Sequence, residues 1–240
     1  MAELLLFQLY GPLAAWGTTA VGEYRPSATH PGKSQIAGLI AAALGVRRDE
    51  EAALREIANG FGLAVRIETA GELERDYHTT QVPAGKRSRG AASRRDELSA
   101  GELYTILSQR DYRADAAWIC ALWLRPNGSF TLTGLAEALR FPRFTICLGR
   151  KACPPSLPLN PRTIKATTLR EAFATYTPDP RIASLAPQAR KRYVWEEPLP
   201  DGLDAGFGPS DQLWVVERRD ELHNRARWQF TVREEHHAVA

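Results

Sequence analysis

The side chains able to do chemistry in this chain are a few histidines and a large number of bases. Histidines occur at 30, 78, 223, 236 and 237, and general acid–base work needs one held beside a second titratable group. Only His78, next to Tyr77 and near Arg75, adjoins a strongly basic stretch. Such a set could cut RNA without a metal by deprotonating a 2′-hydroxyl. The same residues fit a hydrogen-bonded structural Asp-Tyr-His segment, the reading we favour. No Gly-x-Ser-x-Gly elbow or nucleophilic-cysteine signature is present. Five residues separate Cys147 from Cys153, no Cys-x2-Cys or His-x3-His pattern joins them, and His236-His237 falls in a polar tail. Neither a metal nor a cofactor is therefore expected.

Gly32-Lys33-Ser34 looks like the end of a P-loop, but the glycine required five positions earlier is Ser27 and no hydrophobic strand runs into it. What survives is an anion site, with Lys33 and the free amides after a capping Ser34 at a helix N-terminus. An ordinary cap with a solvated lysine is the alternative. The stretch Lys86-Arg87-Ser88-Arg89-Gly90 through Arg94-Arg95 is the best binding element. Cations on an arm engage phosphates without reading sequence and release counterions as they do so. Tyr104, Tyr112 and Trp16 could add stacking faces.

Charge is sorted along the chain. Net charge is only +3, yet of 31 bases just five are lysine, leaving 26 arginines, whose flat fork of donors matches phosphate and stacks on bases. From Arg75 to Arg95 six bases face one acid, a net of +5, and from Arg140 to Arg192 eleven face two, a net of +9. Tyr193 to Glu217 has six acids and no base. This pattern predicts a polyanion on one face, with the acidic stretch from Glu196 to Asp211 turned to a protein or to solvent.

The elements that must position these residues follow from periodicity and breakers. Glu3–Tyr10 reads as a strand stopped by Gly11-Pro12, followed by a long ordered loop to Lys33. Ile36, Leu39, Ile40 and Leu44 recur at helical spacing before Gly45, and a second helix runs from Asp49 to Ala58. Phe61–Glu68 is a strand, Tyr77–Thr80 is extended, and Gln81–Glu97 is too poor in large apolar side chains to bury a core, so it projects as a mobile loop or hairpin. Ala116–Leu124 is a buried strand and Leu135–Leu139 a short helix. The order predicts an α+β fold of the βαββαβ type. After Phe141 prolines forbid long helices, and strands remain at Lys191–Trp195, Leu213–Val216 and Trp228–Val232. The longest apolar run, Ile36–Val46, is too short to span a membrane, the N-terminus lacks a signal-peptide pattern, and three cysteines are few for 240 residues. A cytoplasmic protein with reduced thiols is expected.

Several strings occur in a telling order: Gly11-Pro12-Leu13-Ala14-Ala15-Trp16-Gly17, Arg25-Pro26, Pro31-Gly32-Lys33-Ser34 leading into Gly38–Gly45, Asp76-Tyr77-His78-Thr79, Ala121–Leu124, Leu148-Gly149-Arg150-Lys151-Ala152-Cys153-Pro154 and Arg219-Asp220-Glu221. Together they resemble the CasD family of type I-E CRISPR Cascade subunits, within the RAMP superfamily. The resemblance implies a ferredoxin-like (RAMP/RRM-like) domain over 1–141, with a projecting β-hairpin thumb at about 81–109, and a smaller irregular β-rich C-terminal lobe over 142–240. It implies a non-catalytic subunit that caps the CRISPR RNA by gripping its 5′ handle, joins the backbone subunit CasC and the large subunit CasA, and meets target DNA only through the complex. Carried onto this chain, handle-binding positions are Trp16, Arg25, Lys33, Ser34, Tyr77, His78, Arg150 and Lys151, and thumb positions are Lys86, Arg87, Arg89, Arg94 and Arg95. A metal-independent endoribonuclease acting on CRISPR repeat RNA is the runner-up. One branch of the wider family cuts with a tyrosine and an adjacent Lys-His pair, and no Lys-His dipeptide occurs here.

Overall fold

The structure, a computed structural model, describes residues 1–84, 91–99, 101–126, 128–185, 190–224, 227 and 229–240. Its frame is β1 (Ala2–Ala14), which pairs antiparallel with the inner half of a 22-residue strand, β5 (Leu103–Leu124). Both are buried on both faces, which explains their near-continuous apolar runs. Side chains alternate between the two faces of each strand. Leu5, Phe7 and Leu9 of β1 and Trp118, Cys120 and Leu122 of β5 enter one core, while Leu4, Leu6, Ile119 and Trp123 enter another. The first core is roofed by α1 (Lys33–Leu44), α2 (Glu51–Asn59) and α4 (Leu132–Arg140). The second is closed by α5 (Leu169–Thr175) and the chain around Trp195 to Phe207.

The remaining strands are β2 (Tyr24–Arg25), β3 (Phe61–Thr69), β4 (Glu72–Pro83), β6 (Arg162–Ala166), β7 (Arg192–Trp195), β8 (Gln212–Asn224) and β9 (Gln229–Val239), with short helices α3 (Arg94–Leu98) and α6 (Pro180–Leu185). The sheet order is β6-β1-β5-β3-β7-β9-β8, with β2 and β4 attached to β5. The expected boundary at 141/142 thus falls between α4 and β6, and the later segment feeds both edges of the sheet: β6 joins β1 and β7 joins β3. Among the described residues no helix is long and apolar enough to cross a membrane.

Three sequence expectations change. Gly11-Pro12 does not stop β1. Gln8 N–H bonds Leu159 and Tyr10 C=O bonds Ser156 on the side away from β5, so Pro12, in the same phase, lacks a donor only on that side. The cap of α1 is Gly32, not Ser34: Gln35 Oε1 accepts the Gly32 N–H at 2.7 Å, while Ser34 lies in the first turn. The projecting hairpin is longer than its basic stretch. Its arms are all of β4 and the outer half of β5, in register from Glu72↔Ala114 to Pro83↔Leu103. Gly71 (φ 62°) and Asp115 (φ 51°) mark its root, and a Cβ at Gly71 would stand 2.1 Å from Ala114 O, so only glycine fits.

Candidate nucleic-acid interface

The residues predicted to bind RNA fall into three groups. Two are buried and do structural work. Trp16 is 1% exposed and meets Trp118 edge to face at 5.3 Å, so its ring offers no stacking surface. Lys33 is 4% exposed, and its ammonium donates to Phe61 O at 2.9 Å and to Glu196 Oε1 and Oε2 at 2.7 and 3.0 Å. The expected phosphate site at the α1 N-terminus is occupied from within: Asp220 Oδ2 accepts the Lys33 backbone N–H at 2.9 Å. Asp220 in turn accepts from Arg233 at 2.6 Å and 3.1 Å. Burial lowers the Lys33 pKa, opposed by Glu196. The same pair corrects the assignment of Glu196 to a surface.

A second group converges on an open groove. The chain from Gly17 to Thr19, the first turn of α1 (Ser34, Gln35) and the β8–β9 hairpin (Arg219, His223) enclose about 880 Å³. A smaller cleft of about 300 Å³ shares Gly17, Thr18 and Gln35 and continues to Arg25, Gly149 and Arg150. Gln35 is the hinge between them, because its Nε2 donates to Gly17 O at 2.7 Å while its Oε1 caps Gly32. Arg25 is exposed, with Nη1 donating to Gly22 O. Arg150 is partly committed: it donates to Asp111 O at 3.1 Å and Arg25 O at 3.0 Å and stacks over Tyr112 at 4.6 Å. Lys151 next to it is exposed. Gly149 holds this turn against Ala15 O at φ 89°, where a Cβ would lie 1.9 Å away.

The third group lies on the hairpin. Tyr77 is 60% exposed, and Tyr77 and His78, adjacent on β4, project to opposite faces. They therefore cannot form one acid–base pair, and His78 instead lies 3.3 Å from Asp76, on its own face. Arg94 and Arg95 sit on α3, Arg94 bonded to Glu97 at 2.6 Å and to Gln81 O. Lys86, Arg87 and Arg89 lie outside the described residues.

Gln35, Arg219 and His223 line the open groove and were not among the residues expected from the sequence. Arg219 carried a signal, since it alternates with Arg218 on a strand: Arg218 turns inward to His30, Asp220 and Glu235, and Arg219 outward to the groove. His237 is likewise not in a tail but buried in β9, 3.1 Å from Glu235 Oε1, with His30 2.9 Å from the same oxygen. Among the described residues this is the one group of three that could hold a metal ion. Arg218 Nη1 at 2.6 Å from His30 Nε2 and Arg233 Nη2 at 2.8 Å from Glu235 Oε2 fill it with positive charge, a poor place for a cation. Burial lowers the His30 pKa to about 4 and keeps the ring neutral. Burial would raise that of Glu235, yet hydrogen bonds from His237 and His30 and the charge of Arg218 hold it well below the carboxylate range.

Residues 4–234 match the family described as CRISPR-associated protein (Cas_Cas5). The chain is homologous to the CRISPR system Cascade subunit CasD of Escherichia coli K12, 32% identical over 186 residues, covering 74% of this chain and 79% of that protein. In structure it resembles a chain of a CRISPR RNA-guided surveillance complex (TM-score 0.62, 21% identity, 99% of this chain and 90% of the other). It also resembles a crystal structure of a Cas protein (TM-score 0.57, 23% identity, 98% and 94%). The chain belongs to the Cas5 family of CRISPR-associated proteins.

Proposed function

We propose that this chain is a non-catalytic RNA-binding subunit of a type I-E Cascade surveillance complex in the cytoplasm. In this reading it caps the CRISPR RNA by its 5′ handle, joins a CasC backbone and a CasA large subunit, and meets target DNA only through the assembly. The observation that carries it is the pair of adjoining clefts lined by Arg25, Arg150 and Arg219, with Lys151 exposed next to Arg150, on a chain homologous to a Cascade subunit. Arginine and lysine along an open channel neutralise phosphates without reading bases. The order β6-β1-β5-β3, all neighbours antiparallel, with α1, α2 and α4 on one face, supports a ferredoxin-like split βαβ core. The β4–β5 hairpin serves as thumb, with Tyr77 available to stack on a base and Arg94 and Arg95 near its far end, and 142–240 acts as the accessory lobe.

Holding rather than cutting is supported by the opposed directions of Tyr77 and His78. The test is incubation of the purified protein with labelled repeat RNA in EDTA. Retention of the handle with the RNA intact upholds the proposal. One discrete cut abolished by His78→Ala would replace it with the nuclease.

A further inference from the structure

Behind the turn that carries Arg150 and Lys151, the same segment forms a second surface of opposite character. Leu139, Phe141, Ile146, Leu157, Leu159 and Pro178 help line an open groove of about 840 Å³ between α4, the 154–161 chain and the start of α6. Phe141, which lines it, is 71% exposed, and Phe144, three residues on and outside the lining, is 44% exposed. Large aromatics are rarely left this open together on a free-standing surface, and such patches mark contact sites. The surrounding chain is net basic. Between Glu137 and Glu171 the chain has seven bases and no acid. Arg140 lines the groove, 3.7 Å from Glu137 and bonded to Pro161 O, and Arg143 stands exposed between the two phenylalanines in sequence. The lining is mostly apolar, and its polar side chains are Gln8, Arg140, Thr145, Asn160 and Asp179. Gln8 is held by Pro158 O and the Asp179 N–H, and Asp179, the one carboxylate, is paired with Arg181 at 2.9 and 3.0 Å. Phosphates laid there would be desolvated with few free donors. A peptide inserting apolar side chains and turning acids to the rim would not.

We propose that this groove docks a protein segment with aliphatic or aromatic anchors flanked by Asp and Glu, contributed by a neighbouring subunit. This rests on the reading of the chain as a subunit of a ribonucleoprotein, and it separates the two jobs of one basic segment. Arg150 and Lys151 serve nucleic acid on one side, and Phe141 and Phe144 serve protein on the other.

The test uses the full chain, carrying a photo-crosslinking benzoylphenylalanine at position 141, in the complex co-purified with the subunits encoded beside it. The expected product is a protein–protein crosslink to a peptide with more Asp and Glu than Lys and Arg. Phe141→Ser with Phe144→Ser should lower the amount of that subunit recovered by about tenfold or more without lowering the melting temperature of the isolated chain. Crosslinking to RNA, crosslinking to a basic peptide, or full assembly by the double variant would each overturn the proposal. If a protein crosslink forms but no RNA accompanies any preparation, the docking surface stands and the RNA-binding reading falls.

Discussion

Asp220 places its carboxylate against the backbone N–H of Lys33 at 2.9 Å, across 187 residues of sequence. The N-terminus of α1 is thereby closed by an acid from the β8–β9 hairpin, and the lysine beside it is turned inward to Glu196. A helix N-terminus attracts anions, and here the anion belongs to the protein. The hairpin is thus fastened to the helix whose first turn lines the groove, and Arg219, adjacent to Asp220, faces that groove.

The first prediction follows from this burial. Lys33→Ala takes the ammonium from buried Glu196, leaving it the Leu63 N–H at 2.8 Å and Arg125 at 3.4 Å, and breaking a buried pair from one side costs about 3–5 kcal/mol. Lys33→Met combined with Glu196→Leu should recover only part of that loss, because the Leu63 N–H then loses its acceptor. Thermal denaturation of the two variants checks it. A stable Lys33→Ala protein with wild-type melting but much weaker RNA binding would restore the phosphate role read from the sequence.

The groove cations should behave differently. Arg25→Ala, Lys151→Ala and Arg219→Ala should each leave folding intact and reduce the slope of log K against log salt by about one for every phosphate no longer neutralised. Arg150→Ala should lower both binding and melting temperature, because its guanidinium also ties Arg25 O to Asp111 O. RNA titration at several salt concentrations decides. Unchanged slopes for all three surface variants would remove the groove as the RNA path.

The contrast between Lys33 and Lys151 shows how much was legible in the sequence. β1, β3 and the inner half of β5 came from apolar runs and α1 and α2 from spacing and their Gly stops, because those signals are local, while β6 and α5 were not read. The hairpin arms were read too short. Glu72–Asp76 and Ser108–Arg113 carry no hydrophobic alternation, and pairing defines them. A motif such as Gly32-Lys33-Ser34 does not reveal whether its cation meets solvent or a carboxylate, since Glu196 and Asp220 lie more than 160 residues away. Trp16 failed for the same reason: its partner Trp118 is fixed by β1–β5 pairing, not by its neighbours in sequence. Arg150 lies in a basic block and Arg25 came from the family resemblance, and the Arg150 guanidinium donates to Arg25 O at 3.0 Å.

Acid sensitivity is the next expectation. Burial depresses the His30 pKa from 6.5 to about 4, so the unfolded chain binds a proton that the folded chain refuses between those values. Stability therefore falls as pH drops from about 6.5 to about 4, by up to about 3 kcal/mol from this group. Glu235, held ionised in the fold, adds a loss in the same direction once pH falls below its unfolded value. His30→Gln should flatten the urea-denaturation profile between pH 6.5 and 4.5. An equally steep profile in the variant would assign the acid sensitivity elsewhere.

The root of the hairpin carries the last prediction. Asp111 on β5 is buried and accepts Tyr24 Oη at 2.5 Å and Arg75 Nε at 2.8 Å, while the Arg75 guanidinium covers the Tyr24 ring at 5.0 Å. Arg75 beside Asp111 holds its carboxyl below the usual range. One carboxylate thus joins β2, β4 and β5 just beyond the break at Asp115, and it sets the angle at which the hairpin leaves the sheet. Tyr24→Phe should weaken this junction modestly, and Asp111→Asn more, because Arg75 and Tyr24 lose a charged acceptor. The loss should be local. Hydrogen exchange should quicken along 72–83 and 103–114, with the β1–β5 core protected as before. RNA affinity should fall although neither side chain needs to touch nucleotide. Unaltered exchange in the Asp111→Asn hairpin would mean that strand pairing alone fixes its direction.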